Sequence, residues 1–128
     1  MIILDTDVLI EILDRRSQKG DEALQRLRRE EDREISTTAI NLHEILYGLH
    51  KFAKPVKEVL LLPVLNFTRE DAVLSSNIEL EAESRGIPIR RADAMIAALA
   101  INNEASLYTF DSKHFGRLRS FGLKVFTS

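Results

Sequence analysis

The chain opens on an unbroken apolar run, Ile2-Ile3-Leu4, that ends directly on Asp5-Thr6-Asp7, and Val8-Leu9-Ile10 follows. β-favouring residues without polar alternation predict a strand buried on both faces, the kind found at the centre of a parallel sheet. Ligands of such sheets bind beyond the carboxyl ends of the strands, and Asp5 falls at that end. Thr6 suits the N-cap of the following helix, with Asp7 in its first turn. Two readings stay open here. Asp5 and Asp7 are either carboxylates carried to the mouth of a sheet or plain turn and cap residues.

Helix and strand signals then alternate. Val8, Leu9, Ile12 and Leu13 predict a first helix over 7–14, broken over 15–20. A second helix, 21–33, keeps Ala23, Leu24 and Leu27 on one side. Its other side mixes Arg26, Arg28 and Arg29 with Glu30, Glu31 and Asp32, which reads as a solvated face or, alternatively, a nucleic-acid surface. A strand follows over 34–37. Leu42, Ile45, Leu46 and Leu49, extended to Phe52, form the core stripe of a third helix over 39–51.

A short helix is expected over 56–62 and a strand over 64–67. The helix over 69–85 carries Val73, Leu74, Ile78, Leu80 and Ala82, and Gly86 closes it. After a loop over 87–92, residues 93–101 form a helix apolar on every side, hence buried. Strands over 107–109 and 123–126 flank a turn or short helix over 112–118. This alternation gives an α/β fold with a mainly parallel sheet.

At 128 residues, 45% hydrophobic and 30% charged, the chain suits one soluble domain spanning 1–128. A net charge of −2 excludes a generally basic nucleic-acid binder but not a local basic patch. Without cysteine there is no disulfide, thiolate metal site or Cys nucleophile. Met1 leads straight into a strand with no cationic leader. The longest apolar run, 94–101, falls short of the ~20 residues that span a bilayer. The expectation is a cytoplasmic protein with no membrane partner.

The acids of interest end strands or begin buried helices. Asp5 ends the first strand, Asp111 follows the fourth, and Asp93 opens the most apolar helix. Asp93 is read either as a site carboxylate or as a simple N-cap, because an ion beside such a helix is costly unless compensated. Glu44 faces away from the core stripe, beside Ile40, Tyr47 and Gly48. Spacing alone makes it an exposed helix glutamate, although Gly48 would leave room beside it if that face were covered.

Carboxylates that converge raise one another's pKa values. A hard divalent cation such as Mg²⁺ or Mn²⁺ relieves that conflict, activates water and stabilises phosphoryl charge. His43, His50 and His114 are read as surface or supporting groups. No Ser/His/Asp elbow and no glycine-rich phosphate loop is present, since the five glycines are scattered.

Four stretches in this order resemble the PIN-domain family, and within it the toxin ribonucleases of VapBC toxin–antitoxin pairs. They are Ile3 to Asp7, Asn41 to Gly48, Ile87 to Ala100, and Leu107 to Asp111 with His114-Phe115. The resemblance implies a three-layer α/β/α fold with a central sheet of four to five strands. It implies Mg²⁺- or Mn²⁺-dependent hydrolysis of RNA by the acidic quartet Asp5, Glu44, Asp93 and Asp111, with Thr6 and Thr109 as polar neighbours. Asp7 departs from the small polar residue commoner there, and is either a fifth acid near the metal or a helix-start charge.

Arg90, Arg91, Lys113 and Arg117 lie near these acids in sequence. They are either contacts for RNA phosphates or ordinary surface. The family further implies a homodimer and a small VapB-like antitoxin. Two rival readings remain. One is a non-catalytic PIN-like module that binds RNA or protein. The other is a haloacid-dehalogenase-like phosphatase with Asp5 as nucleophile and Asp7 as acid, although Leu9 stands where that pattern has Thr or Val.

Overall fold

The computed structural model describes residues 1–126. Five strands form one sheet in the order β3-β2-β1-β4-β5. They are β1 (Ile2–Leu4), β2 (Ile35–Thr38), β3 (Val64–Leu65), β4 (Ser106–Tyr108) and β5 (Lys124–Val125). All pairings are parallel, with Ile2 opposite Ile35 on one side and Ser106 on the other. The chain builds outward from β1 on one flank, then returns to build β4 and β5 on the other. The strand order therefore reverses between β1 and β4, where the carboxyl ends of a parallel sheet leave a crevice.

Successive side chains of β1 point to opposite faces, and the core divides accordingly. Ile3 and Leu107 pack with Ile78, Phe115 and the buried face of Ala94, Ile96 and Ala97. Ile2, Leu4 and Tyr108 pack on the other face with Val8, Leu9, Ala23 and Ile45. Helices α5 (Arg69–Ser84), α6 (Arg91–Asn102) and α7 (Ser112–Gly116) cover the first face. Helices α1 (Thr6–Leu9), α2 (Gln18–Arg28), α3 (Ala39–Lys51) and α4 (Lys57–Leu60) cover the second. This is the expected three-layer arrangement. No helix among the described residues is long and apolar enough to cross a membrane.

Several local expectations need correction. Asp5, not Thr6, caps α1, because its carboxylate reaches the free amide of Thr6 at 3.0 Å. After Leu9 the helix widens to a π-helical stretch, Ile10–Arg15, ending at Arg16 with φ +50°. Gly20 is not part of the break. It lies inside α2, where a Cβ would stand 2.1 Å from the Glu11 carbonyl oxygen. Helix α2 stops at Arg28 rather than 33, and the Arg33 guanidinium turns to the Met1 carbonyl at 3.2 Å.

Helix α3 ends as expected at Lys51, so Phe52 leaves the stripe and is 67% exposed. Val73 and Leu80 sit one heptad apart on the side of α5 away from Ala82 and are exposed. Helix α6 begins at Arg91, with Arg90 as its N-cap residue, which places Asp93 in the first turn rather than at the cap. The strands at 64–67, 107–109 and 123–126 are each shorter than or offset from those expectations.

Candidate active site

Outside the carboxyl ends of β1 and β4 lies an open cleft of about 770 Å³ lined by Asp5, Asp7, Glu44, Asp93 and Asp111. The four expected acids reach it from four places: the end of β1, the middle of α3, the first turn of α6 and the N-cap of α7. Thr6, Arg90, His114 and Arg117 line the same cleft.

Asp5 is buried and held on both oxygens. Its Oδ1 accepts from the Thr6 amide at 3.0 Å and from Asn41 Nδ2 at 2.9 Å, and its Oδ2 accepts from the Thr109 hydroxyl at 2.8 Å. Burial, and secondly the charge of Asp7, push the Asp5 carboxyl from 3.8 up to about 6, against the pull of these hydrogen bonds.

Asn41 was not singled out as a site residue by the sequence reading. It is completely buried, because its Oδ1 accepts from the Thr38 hydroxyl at 2.7 Å while its Nδ2 also donates to Thr6 Oγ1 at 3.0 Å. Its spacing of three from Glu44 was the available signal, since residues i and i+3 share a helix face.

Glu44 is half-buried and accepts from the Thr6 hydroxyl at 2.8 Å. The covered face that spacing left open is therefore real at Glu44. Gly48 is not what permits it, because a Cβ there would meet nothing within 4 Å.

Asp7 holds the segment after β4. Its Oδ2 accepts from the Phe110 amide at 3.1 Å, while its Oδ1 is buried without a hydrogen-bond partner among the described residues. Burial raises its pKa too. Thr109 links the two acids to the next one, because its hydroxyl oxygen also accepts from the Asp111 amide at 3.0 Å. Asp111 itself is exposed and caps α7 by accepting from the His114 amide.

Asp93 is 3% exposed and paired on both oxygens. Arg90 grips it with two bonds, Nη2 to Oδ1 at 3.0 Å and Nε to Oδ2 at 3.2 Å. His114 Nε2 reaches Oδ2 at 3.0 Å, and Arg117 contacts the other ring nitrogen, Nδ1. Arginine only donates, so Nδ1 accepts and Nε2 carries the proton that binds Asp93. The pairing holds Arg90 more firmly protonated, through Asp93 first and then through Glu44 and Asp5. Of the expected histidines, His114 supports an acid, whereas His43 and His50 are exposed on α3.

The basic residues divide. Arg90 and Arg117 line the cleft, but Arg117 is tied to the Pro88 carbonyl at 3.0 Å and the His114 carbonyl at 3.2 Å. Arg91 turns away and pairs with Glu79 at 3.1 Å. Lys113 is exposed and does not line the cleft.

As arranged, no three carboxylate or histidine groups among the described residues stand close enough to share one ion. The donor set nonetheless fits a hard divalent cation: oxygen ligands only, one buried oxygen unpartnered, and one acid raised by burial and by its neighbour.

An all-parallel α/β sheet that gathers carboxylates from four elements at its strand reversal defines a class, the domains with an acidic cleft suited to divalent cations. Within that class the chain belongs to the PIN domain family, whose model matches residues 2–120. It is 31% identical over 132 residues to Ribonuclease VapC1 of Methanocaldococcus jannaschii, covering 98% of this chain and 86% of that protein.

Its fold is similar to that in VapBC2 from Rickettsia felis bound to a promoter DNA fragment, with a TM-score of 0.81, 24% identity and 98% of each chain covered. DNA-bound VapBC from Salmonella typhimurium is also similar, with a TM-score of 0.79, 23% identity, and 98% of this chain and 96% of that one covered.

Proposed function

We propose that residues 1–128 act as one PIN domain, a Mg²⁺- or Mn²⁺-dependent endoribonuclease that hydrolyses RNA phosphodiester bonds as the toxin of a toxin–antitoxin pair. The observation that carries this reading is the convergence of Asp5, Glu44, Asp93 and Asp111 on one cleft. So much negative charge needs a cation, and a bound Mg²⁺ or Mn²⁺ supplies phosphoryl charge neutralisation and a more acidic water.

Asp5, Asp93 and Asp111 would hold the metal, and Glu44 would help hold it or orient the attacking water. Asn41, Thr6 and Thr109 keep those carboxylates in place by the bonds described above. Arg90 is the cleft cation best placed to meet a substrate phosphate. Identity to a ribonuclease supports RNA as the substrate. Structural similarity to VapBC complexes supports a VapB-like antitoxin as partner. A homodimer acting in the cytoplasm belongs to the same reading. The phosphatase alternative lacks its lysine, since none lines the cleft.

The test is cleavage of a labelled mixed-sequence RNA by antitoxin-free protein with Mg²⁺ or Mn²⁺, with EDTA, and with Asp93→Asn of verified fold. Metal-dependent cutting that disappears in the folded variant is the expected result. No cutting of several RNAs under either metal would favour a non-catalytic binding module.

A further inference from the structure

We propose that Arg90 is a resident cation that occupies Asp93 in the metal-free protein and must be displaced before a divalent ion can use that carboxylate. The inference rests on the metal-nuclease reading above and names the residue that sets how readily the metal enters.

Both oxygens of Asp93 are spoken for, Oδ1 by Arg90 and Oδ2 by Arg90 and His114 together. The one lone pair left open, on Oδ1, lies beside the guanidinium charge, so an incoming cation is repelled there until one of the two side chains yields. His114 is the fixed one. Its side chain is 23% exposed, its second nitrogen is engaged by Arg117, and its ring stands edge-on to Phe115 with centroids 5.1 Å apart.

Arg90 is the free one. Its side chain is 71% exposed, it precedes the first turn of α6, and Asp93 is its only side-chain partner among the described residues. The long guanidinium arm loses little by swinging into water, whereas the 3%-exposed carboxylate it leaves cannot stay uncompensated. One positive charge must replace another. Arg90 and the metal then compete for Asp93, and the competition lowers metal affinity.

A purely structural Arg90, bracing the start of α6, predicts something different. Its loss would destabilise the fold alike with and without metal, and would leave metal affinity unchanged or reduced.

The experiment is calorimetric titration of Mn²⁺ and Mg²⁺ into metal-stripped protein without RNA, comparing the native chain with R90A, R90M and D93N. R90M keeps the apolar stem, and melting curves in EDTA confirm that each variant is folded. The expected result is Mn²⁺ affinity raised roughly tenfold in both Arg90 variants, about the worth of one charge-assisted contact, and lowered in D93N. Affinity that is unchanged or weaker in the Arg90 variants, with the native chain still binding, overturns the proposal and leaves the metal-nuclease reading standing. No binding by the native chain or either Arg90 variant overturns both.

Discussion

The Thr6 hydroxyl donates to the Glu44 carboxylate at 2.8 Å, joining the start of α1 to the middle of α3 across 38 residues of sequence. The same oxygen accepts from Asn41 Nδ2 at 3.0 Å, so Thr6 relays between Asn41 and Glu44 and fixes where the glutamate points. Thr6→Val keeps the shape and removes both bonds. Loss of such a supporting contact typically lowers activity about 10–100-fold. Thr6→Ser should restore most of it. A Thr6→Val enzyme with native kcat/KM would show that Glu44 needs no such placement.

Asp5 makes the metal-free protein sensitive to pH. Its carboxyl titrates near 6 in the fold and near 3.8 in the open chain. Between those values the folded state holds a proton that the unfolded state has released, so the Asp5 contribution to stability is complete below 3.8 and is lost as pH rises through about 6. The full difference is worth roughly 3 kcal/mol.

Asp5→Asn keeps Oδ1 as acceptor for Thr6 and Asn41, and its new amide can donate to Thr109 Oγ1. In EDTA this variant should therefore gain on the native chain as pH rises, ending about 1–3 kcal/mol more stable near pH 8, while losing cleavage activity. Urea unfolding at two pH values checks it, and a gap that does not change with pH would contradict a raised Asp5.

Asp7 is the second cause of that raised value. Asp7→Asn should lower the Asp5 pKa and keep the bond from the Phe110 amide, since an asparagine oxygen also accepts. The upper edge of the pH window in the previous prediction then comes down while its lower edge stays, so the window narrows. Carbon-detected NMR titration of Asp5 in the metal-free variant reads this directly, and an unmoved Asp5 would mean that burial alone sets it.

Gly20→Ala tests the contact between α2 and the π-helical stretch. The added methyl would overlap the Glu11 carbonyl, which already accepts from the Ser17 amide at 3.2 Å. Backbone on both sides leaves little room to yield, so the expected cost is about 1–3 kcal/mol or more. Urea midpoints measure it. A neutral substitution would show that α2 can pivot away.

The legible parts of this molecule were the locally written ones. Ile2-Ile3-Leu4 fits the central strand because a doubly buried strand has no polar alternation, and the apolar run after Asp93 fits the buried α6 for the same reason. Glu44 was not legible from spacing, since what draws it inward is a hydroxyl 38 residues away. Asn41 opened one of the resembling stretches but had no role until Asp5 and Thr6 were brought to it. Gly20 was misjudged in the other direction: glycine breaks helices by propensity, but here it sits inside one because another segment presses against it. Val73 and Leu80 are apolar residues of α5 that stay exposed, because the two core layers are filled without them.

The bond from Thr109 to Asp5 spans 104 residues, and this has a consequence in time. While β1 to β3 are emerging from a ribosome, Asp5 has neither its Thr109 partner nor the β4 neighbour that closes the crevice. The acids of α6 and α7 do not yet exist. A chain halted before β4 carries three of its four acids, lacking only Asp111, and has no β4 to close the cleft around them. The cleft is therefore assembled only when β4 and the start of α7 have joined β1, however early its first acids were made.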